Sequence, residues 1–460
     1  MEEGVNCWGD IFCLFQETFL ATMPNFKSLG KDIFAYGIMS GMSKSVNLLL
    51  LPFLTSFFTT EEYGVIDIIA TLTSLAGLFM TLSLESAVMR FWNDAKRDNN
   101  LSSLISGSLI IVAIVGLVTF LLALIFSDAI SNLLLEAPSA GIYVTLGICS
   151  SVFMASKSVP LIALRMQRKI YHFNWVNIVQ TVLYMSITLL LIYTFDLGLM
   201  GVFLGTVISQ ILSLILGLVL VRNFFTLSLN WDFLKPSLRY SLPMLPAVFV
   251  TWLNSQVDRY MLLFFLGLGS VGVFGASARI VTIVTLLVTV FRQAWAPLSI
   301  DALDEDENKR NSFYSRGLNY YMLIMFSIAV ILVLLSKTLL GILVSEEFRS
   351  GFVVIPFLLG AKIMHGAASF TNLGTVINKK TAINSIAAFV GFSCNVGLGL
   401  WLIPKYDIAG AAMGSFVAEF LFFAILWVAT VRNSSVKFNT WLVGSILLFY
   451  VAFCYLYLNY

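Results

Sequence analysis

Residues 201–206 read Gly-Val-Phe-Leu-Gly-Thr, and residues 410–415 read Gly-Ala-Ala-Met-Gly-Ser. The two stretches begin 209 positions apart, because 410 minus 201 is 209, and each opens an apolar run that ends in Val-Arg. Glu62–Ile66 matches Ser270–Phe274, where 272 minus 64 is 208, and Gln167–Lys169 matches Asn378–Lys380, where 379 minus 168 is 211. Three matches in one order at a nearly constant offset indicate that the second half of the chain repeats the first.

Composition identifies the class of protein. Of 460 residues, 59% are hydrophobic and 11% are charged, whereas soluble domains carry roughly 25% charged residues. This balance predicts a protein that crosses a membrane many times. The net charge of +2 gives no sign of a nucleic-acid partner.

Apolar runs of about 20 residues, long enough to cross a bilayer as helices, occur along the whole chain. They predict an all-α fold of about 12 to 13 transmembrane helices, arranged as two pseudo-symmetric six-helix bundles. The predicted spans are 33–58, 65–87, 103–127, 139–163, 173–194, 198–221, 240–265, 273–297, 317–343, 351–372, 382–403, 409–431 and 441–458.

The same runs set the expected domain limits. We expect an N-terminal cytoplasmic segment (1–32), an N-terminal bundle (33–222), a cytoplasmic linker (223–239), a C-terminal bundle (240–432) and a tail with one extra helix (433–460). The first 22 residues lack the pattern of a signal peptide and leave two interpretations: they form a short interfacial helix, or translation starts at Met23.

Lysine and arginine collect in alternate loops, from Lys27 and Lys31 to Arg432 and Lys437, while the intervening loops are nearly bare. By the positive-inside rule, the N-terminus and the basic loops are predicted to be cytoplasmic.

Polar residues inside the spans are the candidate site, because burying them in lipid is costly. In the first span Ser43, Lys44 and Asn47 share a helix face, and in the seventh Asn254 and Asp258 do so with Arg259 beside them. Lys157 of the fourth span and Lys362 and His365 of the tenth lie at comparable depth. These positions predict two halves that face each other across a hydrated, cationic cavity.

Further charged residues extend or balance this cavity: Arg279, Arg292, Glu85 and Glu419. Glu85 and Arg292 lie toward span ends, where a charged side chain that snorkels to the interface is an equally good interpretation. His365 has two interpretations, a proton-coupling switch and a hydrogen-bonded packing residue.

Other chemistry finds no support in the sequence. There is no G-x-x-x-x-G-K-[ST] phosphate loop, and the cysteines and histidines lack metal-ligand spacing. We therefore expect no metal, no cofactor and no catalytic residues. The protein is predicted to be a secondary transporter or flippase and not an enzyme.

Several short motifs resemble one family. They are Leu51–Ser56 with Glu61–Gly64, Tyr240–Pro246, Asp258-Arg259, Val271–Phe274, and Ile403–Tyr406 before Gly410. In this order and spacing the chain, from about Met23 to Arg432, resembles the polysaccharide transporter branch of the multidrug, oligosaccharidyl-lipid and polysaccharide exporter superfamily, which includes the O-antigen flippases.

The resemblance implies two bundles that form a V and rock between inward-open and outward-open states. The implied cargo is an undecaprenyl-pyrophosphate-linked oligosaccharide, moved across the bacterial inner membrane for O-antigen, capsule or exopolysaccharide synthesis. Membrane lipid, a polysaccharide polymerase and a chain-length regulator are the other implied partners. Only Asp258 and Arg259 among the candidate residues fall in a family motif.

Three other functions are weighed against this one. A proton- or sodium-coupled drug antiporter of the same superfamily favours carboxylates in its cavity, whereas cations predominate here at depth. A lipid II flippase shares a cationic cavity but usually carries two further C-terminal spans where this sequence offers one. A membrane-embedded glycosyltransferase or polymerase predicts a large catalytic loop. The sugar, the coupling ion and the oligomeric state stay open.

Overall fold

Long helices form almost the whole fold. A computed structural model describes residues 48–135, 140–225, 231–302, 306–372, 382–433 and 438–459, and the described part contains no strand. It has ten helices that are long and apolar enough to cross a membrane. With the shorter helices included, the described part contains α1 (Leu48–Phe57), α2 (Thr60–Thr81), α3 (Leu84–Arg97), α4 (Leu101–Leu135), α5 (Gly141–Met166), α6 (Ile170–Tyr193), α7 (Gly198–Leu220), α8 (Trp231–Ser241), α9 (Leu245–Asp301), α10 (Glu307–Leu343), α11 (Ile355–Thr371), α12 (Ala382–Asn433) and α13 (Thr440–Asn459). Short 3-10 turns lie at Arg222–Phe224, Leu242–Met244 and Glu346–Val354.

Two of these helices turn back on themselves. In α9 the backbone leaves helical geometry at Gly267, whose φ of +78° suits glycine. Arg259 before the turn and Gly275 after it both lie against Asp67, which a straight helix would not allow, since 16 residues span about 24 Å. Asp407 makes the corresponding break in α12, so that Gly414 packs against Asn395. Each helix therefore supplies two of the predicted spans.

The helices form two lobes. In the first lobe α4 packs on α5, α6 on α7, and α5 on both α2 and α7. In the second lobe α12 packs on α9 and α11, while α10 packs on α11 and α13. The predicted all-α fold of two bundles in a V is confirmed.

The second span ends earlier than predicted. Leu82 and Ser83 have left-handed backbone angles and separate α2 from α3. Helix α3 is amphipathic, with Ala87 and Trp92 buried and most of its charged residues exposed, and it packs on the linker helix α8. A helix with one apolar and one charged face suits the surface of a bundle better than its centre.

The lobes meet along α2 and α9 at what we call the interlobe contact, formed by Thr60, Gly64 and Asp67 of α2 with Arg259, Leu268, Gly269, Gly272 and Gly275 of α9. A Cβ added to Gly64 would lie 2.1 Å from the carbonyl oxygen of Leu268, and one added to Gly272 would lie 2.0 Å from that of Thr60. Backbone atoms cannot move aside as the end of a side chain can, so a larger residue at either position would hold the two helices apart. These glycines therefore allow the lobes to touch. They belong to the repeated stretches Glu62–Ile66 and Ser270–Phe274.

We predict that Gly272→Ala separates the lobes at the interlobe contact, because even a methyl group would overlap the backbone of α2. Spin labels on α2 and the second half of α9 would report a longer distance than in the wild type. Gly341→Ala is the matched control, since a Cβ there meets nothing within 4 Å. An unchanged distance in Gly272→Ala would contradict the packing described.

Candidate functional site

An ion pair joins the two lobes beside the interlobe glycines. Nε of Arg259 lies 2.5 Å from a carboxylate oxygen of Asp67, and the two side chains are 18% and 10% exposed. Arg259 also donates to Oε1 of Gln256 at 3.0 Å. Gly275 leaves room for the carboxylate, because a Cβ there would lie 2.8 Å from its Cγ. Two buried charges on different lobes thus compensate each other.

Aromatic residues make further contacts along α2, on both sides of this pair. The guanidinium of Arg279 lies 5.4 Å from the centroid of the Tyr63 ring, which meets Phe348 edge-on. Further along α2, the indole nitrogen of Trp252 donates to Ser74 Oγ at 2.9 Å, and Phe249 contacts Phe79. The first half of α9 is therefore bound to α2 by polar and apolar contacts over several turns.

The first lobe holds a buried lysine. Lys157 of α5 is 5% exposed, and its ammonium group donates to Oε1 of Gln180 on α6 at 2.9 Å and to Oε1 of Gln210 on α7 at 3.0 Å. Both acceptors are neutral amides, and no described carboxylate lies within 4.0 Å of the ammonium group. A charge so placed keeps a long-range field, since little solvent screens it.

The second lobe holds a buried aspartate. Asp258 of α9 is 6% exposed and accepts hydrogen bonds from Asn395 Nδ2 at 3.0 Å and from Ser415 Oγ, both on α12. Lys362 of α11 and the adjacent Arg259 are the cations whose charges act on it. These donors satisfy a carboxylate that would otherwise be costly to bury.

A second polar cluster lies nearby in the same lobe. Nδ1 of His365 on α11 is 3.0 Å from Oε2 of Glu419 on α12, and Asn254 Nδ2 is 3.5 Å from the other carboxylate oxygen. The imidazole ring stacks on Phe422 and is 41% exposed, while the Glu419 side chain is 16% exposed. This pair is therefore partly exposed, and side chains of α9, α11 and α12 form it.

The structure brings together only some of the residues predicted from the sequence. Asn254, Asp258, Lys362, His365 and Glu419 lie in the second lobe, and Lys157 lies inside the first. Arg259 and Arg279 belong to the contact between lobes. Glu85 and Arg292 are exposed, and Ser43, Lys44 and Asn47 lie outside the described residues.

Five polar partners were not among the predicted site residues: Asp67, Gln180, Gln210, Asn395 and Ser415. The signal was present for Asp67, which is a carboxylate inside the second predicted span, and for the two glutamines, which lie mid-span. What the sequence does not reveal is which side chain of another helix each one meets; only for Asp67 does that side chain, Arg259, belong to the other lobe.

Comparison with known proteins identifies the family of this chain. The model of a family described as polysaccharide biosynthesis protein matches residues 29–303. The chain belongs to that family. It is 22% identical to the capsular polysaccharide biosynthesis protein CapF of Staphylococcus aureus over 397 residues, 85% of this chain and 95% of CapF. It is 23% identical to Lsg locus putative protein 1 of Haemophilus influenzae over 349 residues, 72% of this chain and 81% of that protein.

Solved structures show the same fold. An inward-facing MATE family transporter of the MOP superfamily superposes with a TM-score of 0.69 at 15% identity, over 87% of this chain and 95% of that one. The lipid II flippase MurJ in an inward closed conformation gives a TM-score of 0.67 at 16% identity, over 92% and 97%. This polysaccharide family member thus shares the two-lobed fold of known transporters and flippases.

We predict that Asp67→Asn and Arg259→Gln each lower the free energy of unfolding by about 3–5 kcal/mol, because each leaves an unpaired charge or donor in a buried site. Unfolding of purified protein in detergent would measure the change. A double-mutant cycle would show that the two losses are not additive.

Arg349→Gln is the control for this prediction. Its pair with Glu346 is exposed, with side chains 47% and 88% accessible, so the loss expected there is about 1 kcal/mol or less. Equal effects of Arg259→Gln and Arg349→Gln would contradict the assignment of a buried interlobe ion pair.

Proposed function

We propose that this protein is a flippase that moves undecaprenyl-pyrophosphate-linked oligosaccharide units from the cytoplasmic to the outer leaflet of a bacterial inner membrane. Membership of a polysaccharide biosynthesis family and a fold shared with transporters support the general class. In the predicted orientation, with the N-terminus cytoplasmic, the interlobe contact lies near the outer surface.

The observation that carries the proposal is the buried ammonium group of Lys157, which has no carboxylate of the described residues within 4.0 Å. A pyrophosphate is anionic, and fixed cations in a site of low dielectric constant attract it strongly. Lys157 donates to two neutral amides, so its charge is not cancelled by a bonded carboxylate. We expect it to act through its field, while Lys362 and Lys44 contact the phosphates, with Asn254 and Asn47 facing the sugar.

The carboxylates at depth are already engaged, which makes cationic cargo a poorer fit. Asp67 is paired with Arg259, Asp258 accepts from Asn395 and Ser415, and Glu419 is bonded to His365. A drug or cation antiporter would need an acidic wall that is free to receive its cargo. We therefore place drug antiport second. A lipid II flippase, whose cargo is also a lipid pyrophosphate, is a variant of the same proposal.

The experiment is leaflet exchange in liposomes that contain the purified protein and a fluorescent undecaprenyl-pyrophosphate oligosaccharide. Exchange should require the protein and should be lost in Lys44→Ala. In Lys157→Met we expect exchange to slow about tenfold, since one unit charge at about 10 Å and an effective dielectric constant of about 20 is worth about that factor.

Arg349→Gln should exchange at the wild-type rate, because Arg349 forms only an exposed pair with Glu346. A lipid II analogue in the same assay distinguishes the two lipid cargoes. No exchange of either lipid, together with gradient-driven uptake of a cationic dye, would move the assignment to drug antiport.

A further inference from the structure

The linker helix α8 has one buried face, which is fixed to the first lobe. Leu234, Ser237 and Ser241, spaced three and four residues apart, are all fully buried. The side chain of Leu234 fills the space beside Gly107 of α4, where an added Cβ would lie 2.6 Å from it. Helix α8 also packs on α3. The linker between the lobes is therefore held by the first lobe along its length.

The opposite face of α8 carries exposed cations beside aromatic rings. Trp231, Lys235 and Arg239 are spaced four residues apart, so they share one side of the helix, and all three are exposed. Tyr240 is exposed next to them. Within the part of the chain that the structure describes, no carboxylate lies within 4.0 Å of the charged groups of Lys235 and Arg239. Cations flanked by Trp and Tyr are typical of the boundary between a membrane and water.

Helix α3 adds a third cation to this surface. The ring of Tyr240 meets that of Phe91 edge-on, with 5.9 Å between centroids, and the guanidinium of Arg90 lies 5.5 Å from the centroid of the same Phe91 ring. Arg90 forms only an exposed pair with Asp94. Asp232, the acidic residue of α8, lies in its first turn, where the helix dipole stabilises a carboxylate. We call this the linker surface, and its residues are Arg90, Trp231, Lys235, Arg239 and Tyr240.

The position of α8 along α4 places the linker surface beside the lipid headgroups. Helix α4 has 35 residues and is about 52 Å long, whereas the apolar core of a bilayer is about 30 Å thick. Residues 103–108 of α4 are all buried, and large exposed apolar side chains begin at Ile114. Gly107, which contacts α8, lies 7 residues before Ile114, since 114 minus 107 is 7, or about 10 Å. Because the headgroup layer adds about 5–8 Å outside the apolar core, α8 lies at its level.

We propose that the linker surface binds anionic phospholipid of the leaflet beside it, with Lys235 and Arg239 contacting headgroup phosphates. Phosphate oxygens accept strong charge-assisted hydrogen bonds from both side chains. Trp231 and Tyr240 lie at the depth where amphipathic rings are stable. Since α8 belongs to the segment that joins the lobes, bound lipid would hold this segment and the first lobe at one depth in the membrane. Binding of phospholipid here does not depend on the proposed cargo.

Native mass spectrometry of the purified protein with phosphatidylglycerol or phosphatidylcholine tests the site. We expect Lys235→Gln with Arg239→Gln to bind phosphatidylglycerol about 25-fold more weakly than the wild type, because each basic residue near an anionic surface contributes about fivefold. Binding of phosphatidylcholine should not change. Both side chains are exposed, so the fold should be kept, and Lys235→Arg with Arg239→Lys, which keeps both charges, should bind as the wild type does.

Lys309→Gln with Arg316→Gln is the matched control. Both residues are exposed on α10, belong to the basic loops predicted for the same side of the membrane, and change the net charge equally. This control should bind phosphatidylglycerol as the wild type does. Equal weakening in the two neutralised variants would overturn the proposal in favour of diffuse surface charge.

Two further results would contradict a phospholipid site. One is equal binding of the two phospholipids by the wild type. The other is weaker binding of undecaprenyl pyrophosphate by Lys235→Gln with Arg239→Gln while phosphatidylglycerol binds as before, which would assign the linker surface to the cargo. A protein that binds phosphatidylglycerol at this site but exchanges no lipid-linked oligosaccharide would keep the site and reject the flippase.

Discussion

The structure depends on the close approach of two backbones, where Gly64 of α2 and Gly272 of α9 let the lobes touch. The Asp67–Arg259 ion pair lies next to this contact and gives it a polar component that lipid cannot replace. Between helices in a bilayer, close packing and polar contacts supply the attraction that the hydrophobic effect supplies in water. Both kinds of contact are reversible, which would suit the proposed flippase if the lobes separate there.

The same repeat that builds the contact also distributes the charge. Equivalent positions of the two lobes carry Lys157 with Gln210 and His365 with Glu419. The lobes are thus alike in backbone but different in electrostatics, because the first keeps a cation and the second holds an acid with its partner. An anionic cargo between them would be drawn toward the first lobe.

Much of this architecture could be predicted from the sequence. Hydropathy and the offset of about 209 residues predict two helical bundles, since span length and backbone satisfaction leave few alternatives. The break at Leu82-Ser83 could not be predicted, because neither residue ordinarily favours left-handed backbone angles. Asp258 was predicted as a site residue, but its bonds to Asn395 and Ser415 depend on how α9 and α12 pack, which periodicity does not specify. Asp67 was missed for the same reason, since its partner Arg259 lies 192 positions away in the other lobe.

We propose that the interlobe contact opens for cargo to cross, and a reversible cross-link tests this most directly. A Cβ added to Gly269 would lie 3.4 Å from Oγ1 of Thr60, so cysteines at 60 and 269 are placed to form a disulfide. We predict that the oxidised Thr60→Cys/Gly269→Cys protein exchanges no lipid-linked oligosaccharide between leaflets, that reduction restores exchange, and that each single variant is active in both conditions. Full exchange by the oxidised, cross-linked protein would contradict it.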